Sequence, residues 1–317
     1  MNEKARFDFW GHRKLYFGIS IAVIVVGIIA SILVGPKLDV QFAGGSMIKY
    51  SVDGDVNADG VQKTIKEKLD KDCTVAVNEE IGSDSRFVTI SFAGNKSMTP
   101  DEQKEVATTL TEAYDELTFE MVESNSVDAT MGAKFFLKCL VCFAITAAFL
   151  LLYIALRFRK IGGLSAGLTA VVALLHDVVI SFCVFVIFGM PVNDIFIAVV
   201  LTILGYSLNS TIVIYDRVRE NKRVLGPRAE FTHVMNLSLN QTLGRTLITS
   251  LTTFLAVLVV LVVAFIFDIS TVVSFALPMM VGIVAGCFSS QCIAPNLYAM
   301  WQVHKRDKLN AGGNKKK

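Results

Sequence analysis

Charge is scarce in this chain, and so are the signatures of most chemistry. Only 18% of its 317 residues are charged, against 53% that are hydrophobic. The mean hydropathy of +0.55 lies on the membrane side of what a soluble domain of this length carries. There is no phosphate-binding glycine loop, no metal-ligand cluster and no nucleophile beside a base, so hydrolytic and redox activities have no footing. The reading is of a protein that is not an enzyme, with no cofactor, no metal and no nucleic-acid partner. Six cysteines are present, yet Cys139, Cys142, Cys183, Cys287 and Cys292 sit inside apolar runs and only Cys73 lies in a polar region, which excludes a disulfide framework. The Cys139-x-x-Cys142 spacing has no His or carboxylate beside it and reads as two small hydrophobes, not a redox or metal pair.

What the chain does have is six long apolar runs. The first, 15–34, follows Lys4, Arg6, Arg13 and Lys14 and is long enough to cross a hydrocarbon layer of about 30 Å. It exceeds the h-region of a signal peptide, and no A-x-A-like site follows before Gly35 and Pro36, which predicts an uncleaved anchor. Five more runs fall at 135–156, 164–188, 195–214, 246–267 and 271–301. Arg157, Arg159 and Lys160 follow the second; Arg217, Arg219, Lys222, Arg223 and Arg228 follow the fourth; Lys305, Arg306, Lys308 and the lysines at 315–317 follow the sixth. The short turns at 189–194 and around 268 carry no Lys or Arg. The positive-inside bias therefore predicts a multi-pass protein with both termini in the cytoplasm and the polar segment outside.

That segment, 36–133, holds most of the acidic residues and alternates β-type with amphipathic stretches. Strands are predicted at 41–52, 74–79, 87–92 and 119–122, and helices at 58–69 and 100–114, the latter with Thr99 as N-cap and Pro100 at its first position. The order βαββαβ points to an α+β, ferredoxin-like domain outside the cytoplasm, between the first and second of six transmembrane helices. The expected organisation is thus 1–35 for the N-terminus and first span, 36–133 for the external domain, 134–302 for a five-helix membrane region, and 303–317 for a basic cytoplasmic tail, its end from 311 disordered. Within the membrane region, 227–244 carries Phe231, Val234, Met235 and Leu239 between polar residues, and reads as an amphipathic helix on the lipid interface or, alternatively, as a solvated loop.

Ionisable groups inside apolar spans cost on the order of 2.5–3.5 kcal/mol each by insertion scales, so each needs a reason. Asp177, mid-span in Leu174-Leu175-His176-Asp177-Val178, shares a small face with Ala173 and Ser181. It reads either as a proton-sensitive carboxylate or as a structural hydrogen-bonding group. His176 lies about 100° around the helix and is expected to serve a different contact. Thr202, Tyr206 and Asn209 form one stripe on the fourth span, and Arg245, Thr249 and Thr253 form another on the fifth. The two stripes could meet. Arg245 stays charged and needs a carboxylate, carbonyls or water, unless it only snorkels at the interface. Gly163-x-x-x-Gly167 and Gly282-x-x-x-Gly286 permit close helix contact.

Several of these motifs together resemble the SecF family. They are Leu38-Asp39-Val40-Gln41-Phe42-Ala43-Gly44-Gly45, Ala173-Leu174-Leu175-His176-Asp177-Val178, the run from Gly205-Tyr206-Ser207-Leu208-Asn209-Ser210-Thr211 through Asp216-Arg217-Val218-Arg219-Glu220-Asn221, and Asn240-Gln241-Thr242-Leu243-Gly244-Arg245. The resemblance implies an auxiliary subunit of protein export in a bacterial plasma membrane. It would pair with SecD in a twelve-span unit similar to resistance-nodulation-division exporters, and use the proton-motive force to draw preproteins through the SecYEG channel, beside other membrane-insertion factors. It marks Asp177, Asn209, Ser210 and Arg245 as ion-coupling or helix-interface candidates, and His176, Gly205, Tyr206, Asp216, Arg217 and Gln241 as motif residues. One departure stands out: the family's aspartate after the helix-four asparagine is Ser210 here, which cannot carry that charge. Coupling would then rest on Asp177 or a SecD carboxylate, use sodium, or be absent. The competing readings are a resistance-nodulation-division exporter of lipids or small molecules, and a non-coupling subunit that stabilises SecD.

Overall fold

The structure, a computed structural model, describes residues 7–54, 56–79, 85–94, 98–114, 117–127, 129–226, 228–267 and 269–314. Six of its helices are long and apolar enough to cross a membrane. They are α1 (Arg13–Val34), α5 (Ala129–Arg157), α6 (Gly163–Ile187), α7 (Asp194–Leu225), α8 (Phe231–Ile266), and a last rod in which α9 (Ser270–Phe288) passes through a π-helical turn (Ser289–Ile293) into α10 (Ala294–Asn314). Local chemistry sets their ends. Gly35, at φ +78°, closes α1, a conformation that costs a residue without Cβ little. The Asn193 side chain accepts the backbone N–H groups of Ile195 and Phe196 and so starts α7. Gly162, at φ +100°, turns α5 into α6.

Between α1 and α5 the chain forms α2 (Val40–Ala43), β1 (Gly45–Asp53), α3 (Ala58–Leu69), β2 (Thr74–Glu79), β3 (Ser85–Ala93), α4 (Pro100–Ala113) and β4 (Phe119–Val127). The four strands make one sheet in the order β2-β3-β1-β4, with every neighbouring pair antiparallel. Alternation along the strands decides its faces. Ile48, Tyr50 and Val52 of β1 and Val88, Ile90 and Phe92 of β3 all bury against Val61 and Ile65 of α3 and Val106 and Leu110 of α4. A capping box starts α4: Thr99 Oγ1 accepts the Glu102 N–H while the Glu102 carboxylate accepts the Thr99 N–H.

The segment leading into the sheet is tied to the membrane helices, and β2 also lies against α9. Leu38 bridges Val192, with the Asp39 N–H donating to Val192 O at 3.1 Å and the Val192 N–H to Lys37 O at 2.8 Å. The Phe42 ring stacks on Phe135 of α5 at 5.5 Å and meets Phe136 edge-on at 5.6 Å.

Four expectations change. The strand expected from 41 starts only at Gly45, because Asp39 caps the short helix α2 through the Gln41 N–H. β4 runs five residues beyond 122, paired to β1 through Val127. No separate interfacial helix is present at 231–244. These residues are the first turns of α8, and Val234, Met235 and Leu239 are buried against α7, α10 and Phe9 instead of lipid; Pro227 lies outside the described residues. The tail from 303 remains helical to Asn314, continuing α10, and 315–317 lie outside the described residues.

Candidate functional site

Asp177 sits on α6 with no exposed surface, and three side chains converge on it. Ser207 Oγ of α7 donates to Oδ2 at 2.7 Å and Ser289 Oγ, from the π turn, donates to the same oxygen at 2.8 Å. His176 Nδ1 lies 2.9 Å from Oδ1. One carboxylate thus joins α6, α7 and the last membrane rod. The expectation that His176 and Asp177 serve different contacts is corrected: 100° on the helix separates the Cβ directions, but the imidazole is long enough to swing back across it. On its other side the His176 ring packs against Phe288 at 6.4 Å, and its Nε2 is buried without a partner.

Glycine spacing makes the junction possible. A Cβ on Gly286 would lie 3.1 Å from Ser207 Cβ and 3.6 Å from Asp177 Oδ2, and one on Gly282 would strike Ile203 of α7. Gly163 and Gly167 do the same for α5 against α6, where a Cβ on Gly163 would lie 2.1 Å from the Ala155 carbonyl oxygen. The π turn adds Ser290 and Gln291, both buried, and neither amide atom of Gln291 finds a partner. π turns of this kind recur where a helix is distorted for function.

The other sequence candidates separate into two groups. At the basic end, Arg217 donates to Gln241 Oε1 at 2.7 Å and to Glu220 at 2.7 Å, Asn221 bonds Gln241 and Ser238, and Asp216 pairs with Arg157 and Arg219. These clamp α7 to α8 and α5. Closer to mid-span, Ser210 is buried, whereas Thr202, Gly205, Asn209, Arg245 and Thr249 are exposed. The two stripes meet only in part. Tyr206 turns its hydroxyl toward Ser250 and Thr253 without closing a hydrogen bond, and the α8 positions buried there are Thr246 and Ser250. A Cβ on Gly205 or Gly244 would meet open space.

The sequence does not single out Ser207, Ser289 and Gln291 as parts of this junction, because serine in a membrane helix is commonplace and only packing shows which ones share a carboxylate. The contacts of the N-terminal segment are likewise decided by the fold. Asn240 exchanges two hydrogen bonds of 2.8 Å with the backbone of Phe7, Asn236 accepts the Phe9 N–H at 2.8 Å, and the rings of Phe9, Tyr16, Phe288 and His176 then meet in series, tilted or edge-on, at 6.3–6.4 Å. The one available signal was Asn236 and Asn240 spaced i, i+4 on α8.

Six membrane-length helices, a small α/β unit between the first two and, among the described residues, one buried carboxylate shared by three of those helices define a multi-pass membrane protein. Residues 106–304 match the family model described as "Protein export membrane protein SecD/SecF, C-terminal". SecF of Sebaldella termitidis is 32% identical over 96% of this chain and 94% of its own length, and SecF of Petrotoga mobilis 32% over 90% and 93%. SecDF of Bacillus subtilis is 31% identical over 96% of this chain, which spans only 40% of that longer protein. The crystal structure of SecDF from Thermus thermophilus, titled a translocon-associated membrane protein, superposes with a TM-score of 0.76 at 26% identity, over 94% of this chain and 39% of that one. The chain belongs to the SecD/SecF family of protein translocase subunits and matches its SecF members along almost their whole length.

Proposed function

We propose that this chain works with SecD as an ion-driven auxiliary subunit of protein export through SecYEG, and that Asp177 is its ion-responsive group. The observation that carries this reading is the carboxylate shared by α6, α7 and the π turn. Protonation removes the charge that draws Ser207, Ser289 and His176 inward, and so exchanges one packing of three helices for another. A proton moving down a membrane potential releases about 2.3 kcal/mol per 100 mV, comparable to the hydrogen bonds at stake.

SecD fits the exposed polar face of α7 and α8. Asn209 and Arg245 cannot rest stably against lipid, and the open space beside Gly205 and Gly244 suits a close-packed partner helix. Residues 36–133 act as a ferredoxin-like external domain, supported by the βαββαβ order and the β2-β3-β1-β4 sheet; 1–35 anchor it and 134–302 form the membrane engine. Both termini and the tail lie in the cytoplasm, supported by the Lys and Arg bias. Preproteins and other insertion factors would then meet the outer domain as its helices shift.

The test is Asp177→Asn in the full chain co-assembled with SecD. Export into vesicles is expected to proceed with its dependence on the imposed proton gradient abolished; retention of full gradient dependence would sink the reading. Ser210→Asp provides the second arm. Buried Ser210 supports the alternative of a scaffold without coupling, which predicts that neither substitution alters gradient dependence while SecD still co-purifies.

A further inference from the structure

At the basic end, α5, the turn after it and α7 enclose a cavity of about 900 Å³ lined by Arg157, Arg159, Lys160, Arg219, Lys222 and Arg223. Its two carboxylates are already committed. Asp216 lies 3.2 Å from Arg157 and 2.8 Å from Arg219, and Glu220 lies 2.7 Å from Arg217. Arg159, Lys160, Lys222 and Arg223 have no carboxylate within 4.0 Å among the described residues, and Lys222 is left against the Phe231 ring at 5.4 Å. A cavity with this excess of positive charge is incomplete without an anion.

The surroundings say which kind. Leu156 lines the cavity, and from it Leu152 and Phe149 run down one face of α5, exposed by 48%, 55% and 68%. A cationic cup at the end of an apolar helix face matches a molecule with a phosphate head and hydrocarbon tails. Basic pockets between helix ends on this side of a membrane hold such headgroups. We propose that this cavity binds the phosphate of an anionic phospholipid, the acyl chains lying along Phe149, Leu152 and Leu156. The site is separate from Asp177. It rests on the orientation proposed above, not on ion coupling, so labelling single cysteines at the tail from either side of the membrane tests that premise apart from the pocket.

The experiment titrates the detergent-purified full chain with phosphatidylglycerol and with phosphatidylcholine. It compares the native chain, Arg159→Gln/Lys160→Gln/Arg223→Gln, and the control Lys305→Gln/Arg306→Gln/Lys308→Gln, each checked for folding by thermal melting. The expected result is preference for phosphatidylglycerol, weakened about tenfold or more by the pocket substitutions and little by the tail ones, with excess inorganic phosphate failing to displace the lipid. Equal losses in both variants would overturn the site. Displacement by inorganic phosphate would make a free anion the ligand, and tighter binding of an acidic peptide would make the pocket a protein contact; either overturns the lipid assignment.

Discussion

Asp177 carries a burial cost that its hydrogen-bond partners must offset. An isolated charge in the bilayer costs about 3 kcal/mol by insertion scales, and hydrogen bonds to a charged group return about 1.5–3 kcal/mol each, so the Ser207 and Ser289 hydroxyls and His176 offset that cost. Removing donors should therefore hurt more than removing the charge. Ser207→Ala/Ser289→Ala is expected to lower the melting temperature in detergent well below that of Asp177→Asn, and adding Asp177→Asn to the double variant should recover part of the loss. A double variant as stable as the native chain would mean that the serines do not support the carboxylate. Glycine makes a parallel argument. Gly163→Ala should destabilise more than Gly286→Ala, because the added methyl would lie 2.1 Å from the Ala155 carbonyl oxygen in the first case and 3.1 Å from Ser207 Cβ in the second.

At the scale of elements, α4 carries the clearest pH signature. The backbone N–H of Thr99, then the Lys71 ammonium at 2.9 Å and the Thr99 hydroxyl, hold the Glu102 carboxyl down to about 2. The depressed value means that the folded state prefers the ionised carboxylate. Its contribution is fully present above the ordinary value of 4.5 and is lost as pH falls toward 2. Glu102→Gln should flatten the acid dependence of α4 amide-exchange protection in that window, and Thr99→Ala should weaken α4 by about 1 kcal/mol; unchanged exchange in both would remove the capping box from the account. Burial first, and then Asp72, push the Cys73 thiol up to about 11, so it should resist alkylation at neutral pH until the domain unfolds.

For the whole molecule, the informative surface is the one left polar. In the single chain Asn209 and Arg245 are exposed, which is unfavourable against lipid unless protein or water covers them. Gly205→Leu places a large side chain into open space in this chain, so the isolated subunit should melt as before while co-purification with SecD falls several-fold. Undiminished co-purification would place the partner on another face. The buried junction and this exposed face occupy different sides of α7, so under the proposed coupling a shift at Asp177 would move the helix proposed to meet SecD.

Hydropathy alone determined the six spans, because about 20 apolar residues have no other stable place in water, and the same holds for βαββαβ, where strand and helix periods differ enough to be read directly. Asp177 was legible too, since a carboxylate amid apolar residues announces itself. Tertiary structure decided the rest. It selected Ser207 and Ser289 from many serines, joined His176 to Asp177, turned Arg245 and Asn209 outward, and fused 231–244 into α8. Each of these depends on which helix lies beside which, and that is decided by contacts between residues distant in the sequence, as when Ser207 and Ser289 meet on Asp177.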